Sequence, residues 1–281
     1  MTDLAAFPVA SVPYRGQYVR MEARACGVRR LVLDRPEVRN AFNAAMIREI
    51  GLAVAELGAA PQGQEVRLLL LDAEGPVFCA GADLATMKEQ GAATPEQNLE
   101  AAREVARMFH RLASFPAPVV CAVRGAAIGG GLGLTTVSDL VLAEPTAAFA
   151  TSEVLLGIVP AVIGPYIVRK IGLANAAPLM LTGRRIRGAE ALALGLVQRL
   201  AEPPGTFDEA LTRLVRECLA AGPRAARATR ELLRRISPLP DPELMEFTAH
   251  TIASARGSAE GQEGLKAFFR KAAPSWVPGA E

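Results

Sequence analysis

Alternating stretches, unbroken apolar runs and apolar residues three or four apart divide this chain into strands and helices. Tyr18-Val19-Arg20-Met21-Glu22-Ala23 alternates and predicts a strand. Val28 to Leu33 predicts another, with a turn at Gly27 that makes the two a hairpin. Residues 1–17 hold Pro8, Pro13 and Gly16 and are expected to form a loose N-terminal arm. Asp34 to Asn40 reads as a loop. Asn43 then caps a helix to about Gly58, with Met46, Ile47, Ile50, Val54 and Leu57 at helical spacing. Val66 to Leu71 is an apolar, buried strand. Asp72 and Glu74 read as turn residues, residues 78–83 as a turn, Asp83 as a helix N-cap and Gln97 to Leu112 as a helix. Val119 to Val123, Leu140 to Ala143, Ala147 to Ala150 and Val197 to Leu200 complete the strands.

Helical signals dominate from Gly164 onward. Arg187 to Gly195 is a short helix ended by glycine. Residues 203–281 read as helices broken at Gly222-Pro223, Pro238 to Pro242 and Gly257. The fold class is therefore α/β, organised as an arm (1–17), a core (18–202) and a C-terminal helical region (203–281). No fixed-period repeat is present.

Composition narrows the possibilities. The 281 residues are 51% apolar and 5% aromatic, so the core is large, aliphatic and Ala-rich. A net charge of +2, from 31 basic and 29 acidic residues, gives no reason to expect a nucleic-acid or membrane partner. The four cysteines form no C-x-x-C pair, and Cys79 and Cys121 lie in apolar surroundings as buried thiols, which fits a reducing cytoplasm. The first residues lack the basic start and long apolar run of a secretory signal, and a cytoplasmic location is expected. His110 and His250 have no metal-ligand partner at helical spacing, and no metal is expected.

The candidate chemistry lies in two glycine-bearing turns. Val119 to Leu134 runs from a strand through Gly125 and Gly129-Gly130-Gly131 into a helix start. A helix N-terminus leaves free N–H groups and a positive dipole end. Close packing is the simpler reading of such glycines. A P-loop is excluded because no Lys-Ser or Lys-Thr follows, and the spacing is not G-x-G-x-x-G. The second turn, Phe78-Cys79-Ala80-Gly81-Ala82-Asp83-Leu84, follows the 66–71 strand. The N–H groups of Ala82 and Gly130 could meet on one oxygen, as an oxyanion hole requires.

These two turns resemble the crotonase superfamily, which includes enoyl-CoA hydratases and isomerases. The resemblance extends through Asp34-Arg35-Pro36, Asn40-Ala41-Phe42, Ser138-Asp139, Thr151 to Gly157, Leu181-Thr182-Gly183 and Glu263 to Phe269. It implies a β-β-α spiral core with a C-terminal helical trimerisation region, a homotrimer or homohexamer, and an acyl-CoA substrate whose enolate is stabilised at the thioester oxygen. It implies no separate cofactor, since CoA is part of the substrate. Ala82 and Gly130 match the oxyanion donors. The two glutamates of typical hydratases fall on Gly133 and Glu153, leaving one carboxylate. Pro160 to Ile163 holds no acid where the family's isomerases and dehalogenases place one. Arg35, Arg39, Ala80, Asp83, Leu84, Gly133, Phe268 and Lys271 fall at substrate- or CoA-binding positions. For Arg35 and Arg39 a solvated surface charge is an equal alternative, and Asp83 also reads as a helix cap.

Gly157 to Tyr166 is similar to hydratases of branched glutaconyl-CoA esters, including 3-methylglutaconyl-CoA and isohexenylglutaconyl-CoA. The expected activity is interconversion of a 2-enoyl-CoA and a 3-hydroxyacyl-CoA, with 3-methylglutaconyl-CoA and 3-hydroxy-3-methylglutaryl-CoA as the pair. Decarboxylation or C–C cleavage on the same enolate stays open, as does an RNA-binding relative without catalysis.

Overall fold

The computed structural model describes residues 6–58, 66–202 and 207–278. The first five residues of the expected arm and the expected boundary after residue 202 touch positions outside that set. In chain order the strands are β1 (Val9–Arg15), β2 (Val19–Arg24), β3 (Val28–Leu33), β4 (Leu68–Ala73), β5 (Val119–Val123), β6 (Ala126–Ile128), β7 (Leu140–Ala143), β8 (Ala148–Ala150), β9 (Ile186–Arg187) and β10 (Arg199–Leu200). The helices of the core are α1 (Ala44–Gly58), α2 (Leu84–Ala92), α3 (Pro95–Ala113), α4 (Gly130–Val137), α5 (Gly164–Ile171), α6 (Leu173–Thr182) and α7 (Gly188–Ala193). The tail holds α8 (Phe207–Ala220), α9 (Pro223–Ile236), α10 (Pro242–Gly257) and α11 (Ala259–Arg270), broken at the proline and glycine sites the sequence marks.

The large sheet has the order β1-β2-β3-β4-β5-β7-β10 and the small sheet β6-β8-β9. Strands β1 to β3 pair antiparallel, while β3-β4-β5-β7-β10 pair parallel. The chain passes repeatedly from the large sheet to the small one. β5 turns at Gly125 into β6 and then α4, and β7 continues into β8. The corner requires glycine: Gly125 has φ +64°, and a Cβ there would lie 2.1 Å from the Pro76 carbonyl oxygen. Earlier turns repeat the scheme through single bridges, Phe42 with Ala82 and Cys79 with Ala127. This is the β-β-α spiral, closed by a C-terminal helical region.

Strand burial on both faces explains the near-continuous apolar runs. Leu69, Leu71, Val119 and Cys121 pack into the main core with α1 and α3, while Leu68, Leu70, Val120 and Leu142 pack against Phe207, Leu211 and Leu214 of α8.

Two expectations are corrected. Residues 9–15 are not a loose arm but an exposed edge strand on β2, with register shifts between Val9 and Ser11 and between Ser11 and Tyr14. Such irregular pairing, at the sheet edge, lets a strand accept Pro13, which has no N–H to donate. Asp72 is not a turn residue. It is buried in β4 as the acceptor of Arg30 (Nη2 to Oδ2 2.8 Å), which also pairs with Glu22 across from it on β2. The pairing keeps charges inside the sheet.

Candidate active site

A cleft of about 1010 Å³ opens between the spiral core and the tail. Its floor is formed by the turns at 80–84 and 128–130, one wall by α3 and the segment 158–163, and its cover by α10 and α11. α10 packs along α3, and α11 packs on α2 and the 3-10 turn Ser152–Leu156.

The floor is built backbone to backbone. Gly81 has φ +98°, and a Cβ there would lie 3.2 Å from the Ile128 carbonyl oxygen. Gly129 has φ +51°, and a Cβ on it would lie 3.8 Å from Gly81 Cα. A Cβ on Gly131 would meet the Cys79 carbonyl oxygen at 2.7 Å. These glycines allow the two turns to touch. Neighbouring amides are satisfied: Asp83 N–H donates to Phe42 O (2.8 Å), Ile128 N–H to Cys79 O (3.0 Å) and Gly129 N–H to Ala150 O (2.9 Å). Among the described residues, the N–H groups of Ala82 and Gly130 have no acceptor. Gly130 opens α4, so its amide belongs to the orphan donors of a helix start, with the positive dipole end behind it. Both residues line the cleft.

Glu153 lies in the first turn of the 3-10 segment after β8. A Cβ built on Gly129 would come within 3.1 Å of its Oε1, which places the carboxylate against the second glycine turn. The residue as a whole is half-buried, but Oε2 is shut off from solvent and has no hydrogen-bond partner. Burial raises its carboxyl to about 7, while its own amide and the field of Arg256 act in the opposite direction without cancelling that. An acid poised near neutrality exchanges protons in both directions.

No second carboxylate is near it at position 133. A Cβ there would lie 2.6 Å from Ile163 Cγ2 and 2.7 Å from Phe109 Cζ. The space is an apolar wall, and Gly133 does not line the cleft, whereas Phe109 and Ile163 do. The Phe109 ring also packs against Tyr166, with centroids 6.2 Å apart.

Arg35, Arg39, Ala80, Asp83, Leu84 and Phe268 line the cleft; Lys271 does not, and instead ends α11 in a left-handed conformation. Asp83 caps α2 by accepting from Ala85 N (2.8 Å) and Thr86 N (3.2 Å), and accepts from Arg35 Nη1 (2.6 Å). Burial acts to raise its carboxyl, but Arg35 and the two amides outweigh that and hold it below the usual carboxylate range. Arg35 is thus engaged by the fold, also donating to Ala41 O (3.0 Å). Arg39 is exposed and makes no ion pair among the described residues, leaving it available to an anionic ligand at the cleft mouth.

Sequence reasoning missed Arg256. It sits in the last turn of α10, lines the same cleft, and has a buried Nη1 without a hydrogen-bond partner. Nothing local sets it apart, because a cation in a helix's last turn is an ordinary feature.

A family model described as enoyl-CoA hydratase/isomerase matches residues 23–278. A putative enoyl-CoA hydratase of Thermus thermophilus is 36% identical over 242 residues, covering 86% of this chain and 94% of the relative. The cyclohexa-1,5-dienecarbonyl-CoA hydratase of Thauera aromatica is 33% identical over 252 residues, covering 88% of this chain and 92% of the relative. The crystal structure of an enoyl-CoA hydratase from Shewanella pealeana is similar at 38% identity and a TM-score of 0.74, covering 92% of this chain and 96% of that one.

Proposed function

The chain belongs to the enoyl-CoA hydratase/isomerase family and is an enzyme of the enoyl-CoA hydratase type, and from that premise we propose a reaction run by one carboxylate. The thioester oxygen sits between the N–H groups of Ala82 and Gly130. Ionised Glu153 takes a proton from water as the water oxygen bonds to C3 of the enoyl group. The C2=C3 electron pair shifts to make a C1=C2 bond as the carbonyl pair moves onto the thioester oxygen, giving an enolate held by the two amides. Glu153 then returns the proton to C2, giving the 3-hydroxyacyl-CoA. Dehydration retraces the same steps. The sequence of steps needs no metal or redox group.

The observation that carries this reading is the pair of unpartnered amides on touching turns beside a buried, unpartnered carboxylate oxygen. Glu153→Gln should lower hydration turnover by about 10²-fold or more. A normally folded variant at near wild-type rate would falsify the assignment. Arg35, Arg39 and Phe268 are proposed to hold the CoA portion.

The acyl group proposed is 3-methylglutaconyl, supported by the similarity of Gly157 to Tyr166 to hydratases of such esters. Hydration of 3-methylglutaconyl-CoA, measured beside crotonyl-CoA with product identification, tests it. Faster turnover of crotonyl-CoA would overturn the acyl assignment, and loss of CO₂ or C–C cleavage products would overturn hydration itself. A homotrimer or homohexamer in the cytoplasm is proposed as the working form. Four free cysteines, two of them buried, are compatible with a reducing location, and sedimentation measures the assembly. Among the described residues no helix is long and apolar enough to cross a membrane.

A further inference from the structure

We propose that Arg256 is the counter-ion for a carboxylate on the acyl portion of the substrate, so that this cleft selects 2-enoyl-CoA esters carrying a second negative group. The inference rests on the hydratase reading of the cleft and adds the residue that would set its substrate class.

Two other buried arginines of this chain have ion partners. Arg30 is paired with Glu22 and Asp72, and Arg230 with Asp139. Buried charge is normally compensated in this way, because an isolated ion in a dry interior is strongly unfavourable. Arg29, also buried, has no ion pair among the described residues and donates to the Val28 carbonyl (3.3 Å). Arg256, half-buried as a whole, likewise lacks an ion partner among the described residues, but unlike Arg29 it lines the cleft. Its Nη1 is buried without a hydrogen-bond partner. Glu153 is the charged group that acts on it, yet the two form no salt bridge. Burial also leaves the Glu153 carboxyl raised, so the arginine does not hold it as a settled partner would. The guanidinium, brought down only to about 10, stays cationic at neutral pH.

The carboxylates that line the cleft with Arg256 are Glu153, which forms no salt bridge to it, and Asp83, which is paired with Arg35; Thr86, Gln90 and Ser152 are the neutral polar members. Arg256 shares the cleft with the apolar side chains of Val105, Phe109, Ile158, Val162 and Ile252. None of these can accept a hydrogen bond. A neutral acyl chain placed there leaves the guanidinium unpaired. A carboxylate on the chain meets a planar fork of donors suited to bidentate contact. Arg256 lines this cleft together with Glu153, reaching it from the last turn of α10.

Binding of two unreactive esters, glutaryl-CoA and butyryl-CoA, to the wild type, Arg256→Gln and Arg256→Lys by titration calorimetry tests the inference apart from catalysis. Expected is at least about tenfold tighter wild-type binding of glutaryl-CoA, the scale of one charge-assisted contact. Arg256→Gln should abolish the preference by weakening glutaryl-CoA alone, and Arg256→Lys should retain part of it. Equal wild-type affinities, or equal weakening of both esters in folded Arg256→Gln, would overturn the inference and leave Arg256 as a group that only positions Glu153 or supports the fold. A parallel hydration assay keeps the two readings separate. A preserved glutaryl preference with no hydration of any enoyl ester would sink the hydratase reading while leaving the carboxylate site standing.

Discussion

At the residue scale the proposed chemistry turns on glycine at 133 and glutamate at 153. Position 133 is not an empty place awaiting an acid, since Ile163 and Phe109 occupy the volume a side chain would need. Gly133→Glu should therefore lower stability by about 1–3 kcal/mol through overpacking, without raising turnover, as denaturant titration and rate assays would show. The single acid carries a second consequence. With the Glu153 carboxyl near 7, and with the ionised form initiating both directions in the proposed mechanism, kcat/KM for hydration should rise about tenfold per pH unit below 7 and level off above it. The same shift acts on stability with a definite sign. A carboxyl raised above its unfolded value of 4.5 favours the fold when protonated, and that contribution is lost as pH rises through about 7. Glu153→Gln should thus be more stable than the wild type at pH 8, by on the order of 3 kcal/mol, and the gap should close toward pH 5. Thermal melts across that range check it.

Elements place these residues through their corners. Most strands and helices were legible in the chain because their signals are local: the Asn43 cap (Met46 N to Asn43 Oδ1, 2.8 Å), the Asp83 cap, and the breaks that separate α8 to α11. The glycine turns were legible for the same reason. What was illegible depended on neighbours. The edge strand β1 exists because β2 offers a free ladder, and Pro13 argues against it locally. Asp72 looked like a turn acid because its partners Arg30 and Arg124 come from β3 and the β5 corner. The two-residue β9 is too short to carry a period and forms by pairing with β8. The corner at Gly125 is the element on which the spiral turns. Gly125→Ala combines a left-handed φ with a clash against the Pro76 carbonyl, so a loss of about 2 kcal/mol or more is expected in chemical denaturation.

For the molecule as a whole, the cleft is shared between core and tail. Its floor comes from the spiral turns and its cover from α10 and α11, which return across α3 and α2. A ligand held there touches both regions at once. Saturating acyl-CoA at about 100 times Kd should raise stability by about 2.7 kcal/mol. The expected readout is a single unfolding transition moved to higher temperature. Two transitions, with only the earlier one moving, would show that the tail melts apart from the core.

Local order was written in the chain because it depends on neighbours in sequence. Alternation in β2, the apolar runs of β4 and β5, the helix caps, and glycines where a left-handed backbone is needed each act over a few residues. Those same turns already singled out Ala82 and Gly130, whereas Glu153 came from the resemblance to the crotonase superfamily. Packing over long separations supplied the rest. It filled the space beside Gly133 with Phe109 and Ile163, put Asp72 between arginines, and folded the last turn of α10 back until Arg256 stood in the cleft with Glu153, about a hundred residues away along the chain. Charge and volume in a buried site depend on which surfaces meet, and no pattern of period two or 3.6 records that meeting.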